Sequence, residues 1–302
     1  MTVKDIARTK VGTPFRSKGL ALFPLSLPIE RHDGVKLADD TLQVSELASA
    51  TVPQLQVHNP GAVDMLIPAG KILEGGRQTR TVNVSILVPA GATMEIPVSC
   101  VEAGRWGGGP MFRDSNRYAS RRVRIAKERG VKRNIDSFGM KTSDQGAVWN
   151  SISAEMNVRN LTHDSSLFLR IDEHIEEDES LHGILQEAMS QGIQPDQTGL
   201  AIAIGGKVIG IELFTSVDDL RASWEALVRT AVLDHDVAAV DASEATIEDV
   251  EKFLTRVAEL ETTISKGTGL GTEYHIAEPD LVAHALDDDQ GNLMHAYAFA
   301  EA

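Results

Sequence analysis

Short apolar runs broken by turn residues dominate the first hundred positions. Residues 18–30 read as one buried strand or a pair of short ones, and residues 52–57 as another, ending at the turn Asn59-Pro60-Gly61. Met65-Leu66-Ile67-Pro68 leads into Ala69-Gly70, after which residues 82–88 and 94–98 read as strands joined by Pro89-Ala90-Gly91-Ala92. So short a connection folds the far ends of that hairpin together. It therefore brings Arg77, Gln78 and Arg80 toward Glu102, Arg105 and Trp106.

The period lengthens after residue 114. Asp114 or Ser115 is placed to cap a helix that has Ala119, Val123 and Ala126 on one side and Gly130 at its end. Arg117, Arg121 and Arg124, at i, i+4 and i+7, make an arginine stripe on the opposite side. A second helix is predicted near 144–156, with Val148, Trp149, Ile152 and Met156 on one face. The acidic segment 172–179 reads as a solvated helix face or loop, or as a partner for the stripe within the chain or across subunits. Residues 201–211 form a hairpin around Gly205-Gly206, since glycine supplies the positive φ that a two-residue turn needs. Ser216 and Asp219 resemble a capping box before a helix that buries Leu220, Trp224, Leu227, Val228 and Ala231. A helix over 246–260 and short strands around 273–275, 281–285 and 293–300 complete the chain.

Strand runs flanking helix runs predict an α+β fold. The expected layout is a mostly β N-terminal third, sandwich- or jelly-roll-like, packed with a helix-rich C-terminal part that contains β-hairpins. No repeat or low-complexity linker divides the chain. It reads as one domain over 1–302, or as two lobes, 1–140 β-rich and 141–302 α+β.

Charge changes this picture locally. The 302 residues carry a formal charge of -15, which disfavours general binding to nucleic acid or to anionic membranes. Between Gly104 and Arg133, however, ten basic residues face only Asp114 and Glu128, a balance of +8 that leaves -23 on the remainder. The lone Cys100 excludes an internal disulfide, and a reducing cytoplasm is the simplest compartment. The first residues do not read as a signal peptide. The apolar stretch 19–29 is broken by Pro24 and Pro28 and is too short to span a bilayer.

The candidate chemistry follows from these clusters. Arg77, Gln78 and Arg80 present planar donors suited to phosphate or carboxylate, and Gly75-Gly76 lets backbone approach a ligand. Alternation along a strand sends Gln78 and Arg80 to one face and Arg77 to the other. The competing reading is a strand start held by ion pairs to Glu74 or Glu102. Glu102 is the candidate general acid or base, against a structural Glu–Arg pair; Arg105 and Arg121 are candidate anion ligands, and Trp106 a stacking surface or a core residue. Cys100 lies in an apolar strand with no activating neighbour and reads as an inert thiol. His275, His284 and His295 lie on terminal strands, with His284 able to face His295 across the last hairpin, but no metal-ligand spacing is present and no metal is assigned. Gly205-Gly206-Lys207 lacks the following helix of a phosphate loop.

The segments Asn59-Pro60, Gly70, 73–83 and 96–106, with Gly205-Gly206-Lys207, Phe214 and Trp224 further on, resemble the ARG and rhodanese-phosphatase-superfamily-associated protein domain. The resemblance implies a setting in NAD or ADP-ribose metabolism and leaves the cofactor unknown. The expected function is binding of a small anionic, nucleotide-type ligand. Two alternatives stand beside it: a hydrolase on such a ligand using Glu102 or Glu74, and a non-catalytic scaffold that self-associates through basic and acidic patches.

Overall fold

The computed structural model describes residues 3–28, 34–49, 51–104, 107–161, 168–238 and 243–301. A short 3-10 segment, Val3–Arg8, precedes β1 (Lys10–Val11), β2 (Phe15–Ser17), β3 (Leu20–Ser26), β4 (Val35–Leu37), β5 (Gln43–Ser45) and β6 (Gln54–His58). The β-rich run continues through β7 (Asp64–Ile67), β8 (Lys71–Gly75), β9 (Arg80–Val82), β10 (Ile86–Val88), β11 (Thr93–Cys100) and β12 (Met111–Tyr118). Four helices follow: α1 (Arg121–Phe138), α2 (Gln145–Val158), α3 (Phe168–Glu177) and α4 (Glu179–Gln191). Next come β13 (Gly199–Ile204), β14 (Lys207–Phe214), α5 (Val217–Asp236) and α6 (Ile247–Glu259). The last strands are β15 (Thr263–Lys266), β16 (Thr272–Glu278), β17 (Leu281–Asp287) and β18 (Leu293–Ala300).

The fold is α+β. Its nine-stranded antiparallel sheet runs β1-β3-β13-β14-β18-β17-β16-β15, with β2 also paired to β3, so it draws strands from both ends of the chain. Strands therefore also fill the C-terminal region, which is not simply helix-rich. This sheet is buried on both faces. Leu20, Leu22, Leu200 and Ile202 pack toward α5, while Ala21, Phe23, Ala201 and Ala203 pack toward α6, which is why β3 and β13 read as unbroken apolar runs. A closed six-stranded barrel, β11-β6-β5-β12-β8-β9, takes the place of the expected sandwich- or jelly-roll-like sheet. Its interior holds Val44, Leu55, Val57, Leu73, Ile96, Val98 and Phe112. The third sheet is β10-β7-β4. Among the described residues no helix is long and apolar enough to cross a membrane.

Two local expectations are corrected. Residues 82–88 are not one strand: the chain leaves the barrel after Val82 and joins the third sheet at Ile86, with Asn83-Val84-Ser85 in between. Residues 114–118 are strand, not helix, because they continue β12 against β8. The helix starts at Arg121, with Ser120 as its N-cap, and ends at Gly139 in the left-handed region at φ 67°. It passes through Gly130, whose missing side chain admits another backbone: a Cβ there would lie 2.4 Å from the Asp144 nitrogen. Gly130 is thus a helix-crossing point. Arg117 sits on β12, outside the expected stripe.

Candidate functional site

The barrel brings part of the expected site together. Arg80 pairs with Cys100 and Val82 with Val98, so residues 78–80 and 100–102 meet at one barrel end. Gln78 Nε2 donates to the Glu102 carbonyl at 3.1 Å, and Thr79 donates from both its nitrogen and its hydroxyl to Glu102 Oε2 at 2.9 Å. Arg80 Nη1 donates to the carbonyl and Oε1 of Gln78 at 3.0 and 3.2 Å. Gln78, Arg80 and Glu102 are buried, whereas Arg77 is exposed and offers its backbone nitrogen to Glu46 Oε1 at 3.0 Å. Arg105 and Trp106 lie outside the described residues.

This cluster borders a surface groove of about 470 Å³, lined among others by Thr79, Glu102, Glu74, Arg113 and Leu169. Its described lining carries two carboxylates against one guanidinium, and Arg113 is already paired with Glu74 at 2.9 Å. Those described residues by themselves offer a negative guest little. Burial pushes the Cys100 thiol above its ordinary pKa, and that thiol donates to the Glu102 carbonyl at 2.9 Å, which fits an inert packed cysteine.

Positive charge gathers instead on α1. With Ser120 as the cap, Val123, Arg124, Lys127, Glu128 and Val131 turn inward, and Arg121, Arg122, Ile125, Ala126, Arg129 and Arg133 border a groove whose far side is α2. The resulting groove encloses about 570 Å³, within the usual range of ligand pockets. Four arginines line it, with Asp144 and Glu301 as the acids among its described lining residues, and a third acid, Asp234, pairs with Arg121 from behind, which leaves a local formal balance of +1. Ala147 and Ser151 of α2 supply the small opposite wall.

The four guanidinium groups differ in how far they are used. Arg121 donates to the Ala300 carbonyl and sits 3.1 Å from Asp234, tying α1 to β18 and α5. Arg133 meets Asp144 Oδ2 at 3.0 Å, and Arg129 holds Glu301. Arg122 is half-buried and makes no hydrogen bond or ion pair with any described residue; its field is felt by Glu155 and Asp234. Of these four, Arg121 alone is a site candidate from sequence. The cue for the others was present in the spacing of Arg122, Ala126, Arg129 and Arg133, but only once Ser120 sets the helical phase.

Beneath α1 lies a polar network that spacing alone did not reveal. Arg124 grips Glu212 through Nη1 at 2.9 Å and Nη2 at 2.8 Å, and Glu212 Oε1 lies 2.9 Å from His295 Nε2. His295 Nδ1 is 2.8 Å from Ser85 Oγ, and the Ser85 nitrogen donates to His284 Nε2 at 2.9 Å. His284 pairs in register with His275 and with Tyr297; His295 pairs with Leu286, so His284 does not face His295. Ser85, His295 and Glu212 are in nucleophile, base, acid order, yet Ser85 and His295 are 0% exposed, so a substrate has no access to the hydroxyl.

Glu128, His275 and His284 each offer an atom within 4.8 Å of the others, as a metal site would. The same donor set is hydrogen-bonded within the core. His275 sits between Glu128 Oε1 at 2.8 Å and Glu273 Oε2 at 3.3 Å; burial opposes its charge, but the two carboxylates win and push its pKa up to about 9. His284 accepts at Nε2, which puts the proton of the neutral ring on Nδ1. The His275 to Glu128 bond ties β16 to α1, and His284 Nδ1 is buried with no hydrogen-bond partner among the described residues.

No curated protein and no solved structure matches this chain. A family model does, over residues 8–299. With nearly its whole length covered by that match, the chain belongs to the family of the ARG and Rhodanese-Phosphatase-superfamily-associated Protein domain.

Proposed function

We propose that this protein binds a small anionic ligand in the groove between α1 and α2. One observation carries the reading: four arginines face a space of about 570 Å³ with two carboxylates among them, in a chain of net charge -15. Arg122, with no ion pair among the described residues, and the exposed pairs of Arg129 and Arg133 leave guanidinium groups that a bound anion can engage. Ile125, Ala126 and Ala147 give the groove an apolar floor on which an organic body can lie. A nucleotide-type ligand related to NAD or ADP-ribose fits that mixture, and the family resemblance suggests the same class. The lone buried cysteine fits a cytoplasmic setting.

Binding, not turnover, is what the groove supports. Its Asp144 is committed to Arg133 and to the Ala147 nitrogen at the start of α2, so it is not poised as a base. Self-association through charged patches has less support, since Asp172 is bridged within the chain by Arg117 at 2.7 Å and Arg229 at 2.8 Å. The test is a thermal-shift panel with ADP-ribose, NAD and AMP on the wild type and on Arg122→Ala/Arg133→Ala. Stabilisation of the wild type that the double variant loses supports the groove; equal shifts in both proteins, or none at millimolar ligand, refute it.

A further inference from the structure

The groove reading above is the premise for a narrower inference about what the ligand carries. At one end of the groove Arg129 is fixed from behind: its Nη2 donates to the carbonyls of Glu278 at 3.2 Å and Pro279 at 2.7 Å, and the same nitrogen reaches the Glu301 carboxylate. Glu301 is itself anchored by its backbone nitrogen to the Asp280 carbonyl at 2.8 Å. Its side chain remains 50% exposed, so this ion pair is weak and its carboxylate is replaceable.

Helical rise sets the spacing of the cations. Arg122 and Arg129 are two turns apart, about 10 Å along the axis, and Arg129 and Arg133 one turn apart, about 6 Å. A carboxylate monoanion satisfies one guanidinium of such a row. Two linked phosphoryl groups spread more charge over a longer span and present pairs of oxygens that the planar guanidinium fork binds two at a time. We propose that the groove takes a diphosphate group, and that Glu301 is its internal stand-in: on binding, phosphoryl oxygens replace the Glu301 carboxylate on Arg129 and add the otherwise unbonded Arg122.

Isothermal titration calorimetry with inorganic pyrophosphate, inorganic phosphate and acetate tests this on the wild type, Glu301→Gln and Arg122→Ala. Glu301→Gln keeps the shape of the side chain and removes its charge, so pyrophosphate should bind about threefold to tenfold tighter than to the wild type, the range expected for losing one weak exposed competitor. Phosphate should bind more weakly than pyrophosphate, acetate weaker still, and Arg122→Ala should lower pyrophosphate affinity at least tenfold. If pyrophosphate binds the wild type and depends on Arg122, but Glu301→Gln binds no tighter, the groove stands and the role of Glu301 falls. Acetate binding as tight as pyrophosphate overturns the diphosphate class. Pyrophosphate binding by neither the wild type nor Glu301→Gln overturns the groove reading together with this inference.

Discussion

Arg124 and Glu212 meet as a two-pronged pair in the interior, at 2.9 and 2.8 Å, and both side chains are almost wholly buried. The Arg124 guanidinium also lies 4.3 Å from the centre of the Tyr297 ring and 4.7 Å from that of Phe299. Removing Glu212 strands a buried cation. Glu212→Ala should lower unfolding free energy by about 3–5 kcal/mol, read from urea unfolding. Glu248→Ala, which breaks the exposed pair with Lys252, should leave the urea midpoint unchanged. Comparable losses at both positions would contradict this account of the core.

His275 gives the network a pH dependence with a definite sign. Its folded pKa, about 9, lies above the ordinary histidine value of 6.5, so its contribution is complete below about pH 6.5 and fades as pH rises through 9. Lys127 acts oppositely: burial pushes it down to about 7, so its cost is full below pH 7 and is relieved as pH climbs toward 10.5. The stability gap between wild type and His275→Gln isolates the histidine. Urea unfolding should show a wide gap at pH 6 and a narrow one at pH 9.5; a gap that widens over that range would refute the assignment.

Asp287 is buried, with the Tyr274 side chain as its polar neighbour. Burial pushes its pKa up to about 7, so the folded state favours the protonated acid. Stability relative to the unfolded chain is therefore present below pH 3.8 and lost as pH rises through 7. Asp287→Asn should be about 1–3 kcal/mol more stable than the wild type at pH 8 and equal to it near pH 3.5. Calorimetric melts at the two pH values decide it.

Replacing glycine by alanine inside a helix ordinarily stabilises by about 0.5–1 kcal/mol. At Gly130 the added Cβ would meet the Asp144 nitrogen at 2.4 Å, so α1 and α2 must part. Gly130→Ala should instead destabilise by about 1–3 kcal/mol and weaken anion binding, because Gly130 and Asp144 both border the groove. A higher melting temperature would show that the helices are not packed this closely.

Much of the local structure was readable from the chain. The hairpin around Gly205-Gly206 forms as expected, and Ser216 accepts the Asp219 nitrogen at 3.0 Å at the start of α5. Thr246 and Asp249 close a full capping box on α6. These features depend on neighbours within a few residues, which is why pattern alone exposes them. Residues 78–80 and 100–102 converge as expected but by another route, since β9 pairs with β11 directly while β10 leaves to pair with β7.

The groove and the core network were not legible. Residues 114–118 have helix-compatible polarity, but pairing with β8 makes them strand, and that tertiary choice shifts the helix to Ser120 and rotates its arginines. Arg121 and Arg124, expected on one outward stripe, thus serve the groove wall and the buried core respectively. Likewise Glu128 and His275 stand 147 positions apart in sequence, a contact created only by α1 packing on β16 and β17. Local spacing carries no record of such pairs.

The most direct measurement is a crystal structure of the protein grown with pyrophosphate. The account predicts diphosphate density between α1 and α2, with phosphoryl oxygens within hydrogen-bond distance of Arg122 and Arg129 and the Glu301 side chain swung away. An empty α1–α2 groove, with the anion bound at the barrel end beside Arg80 or nowhere on the chain, would contradict it.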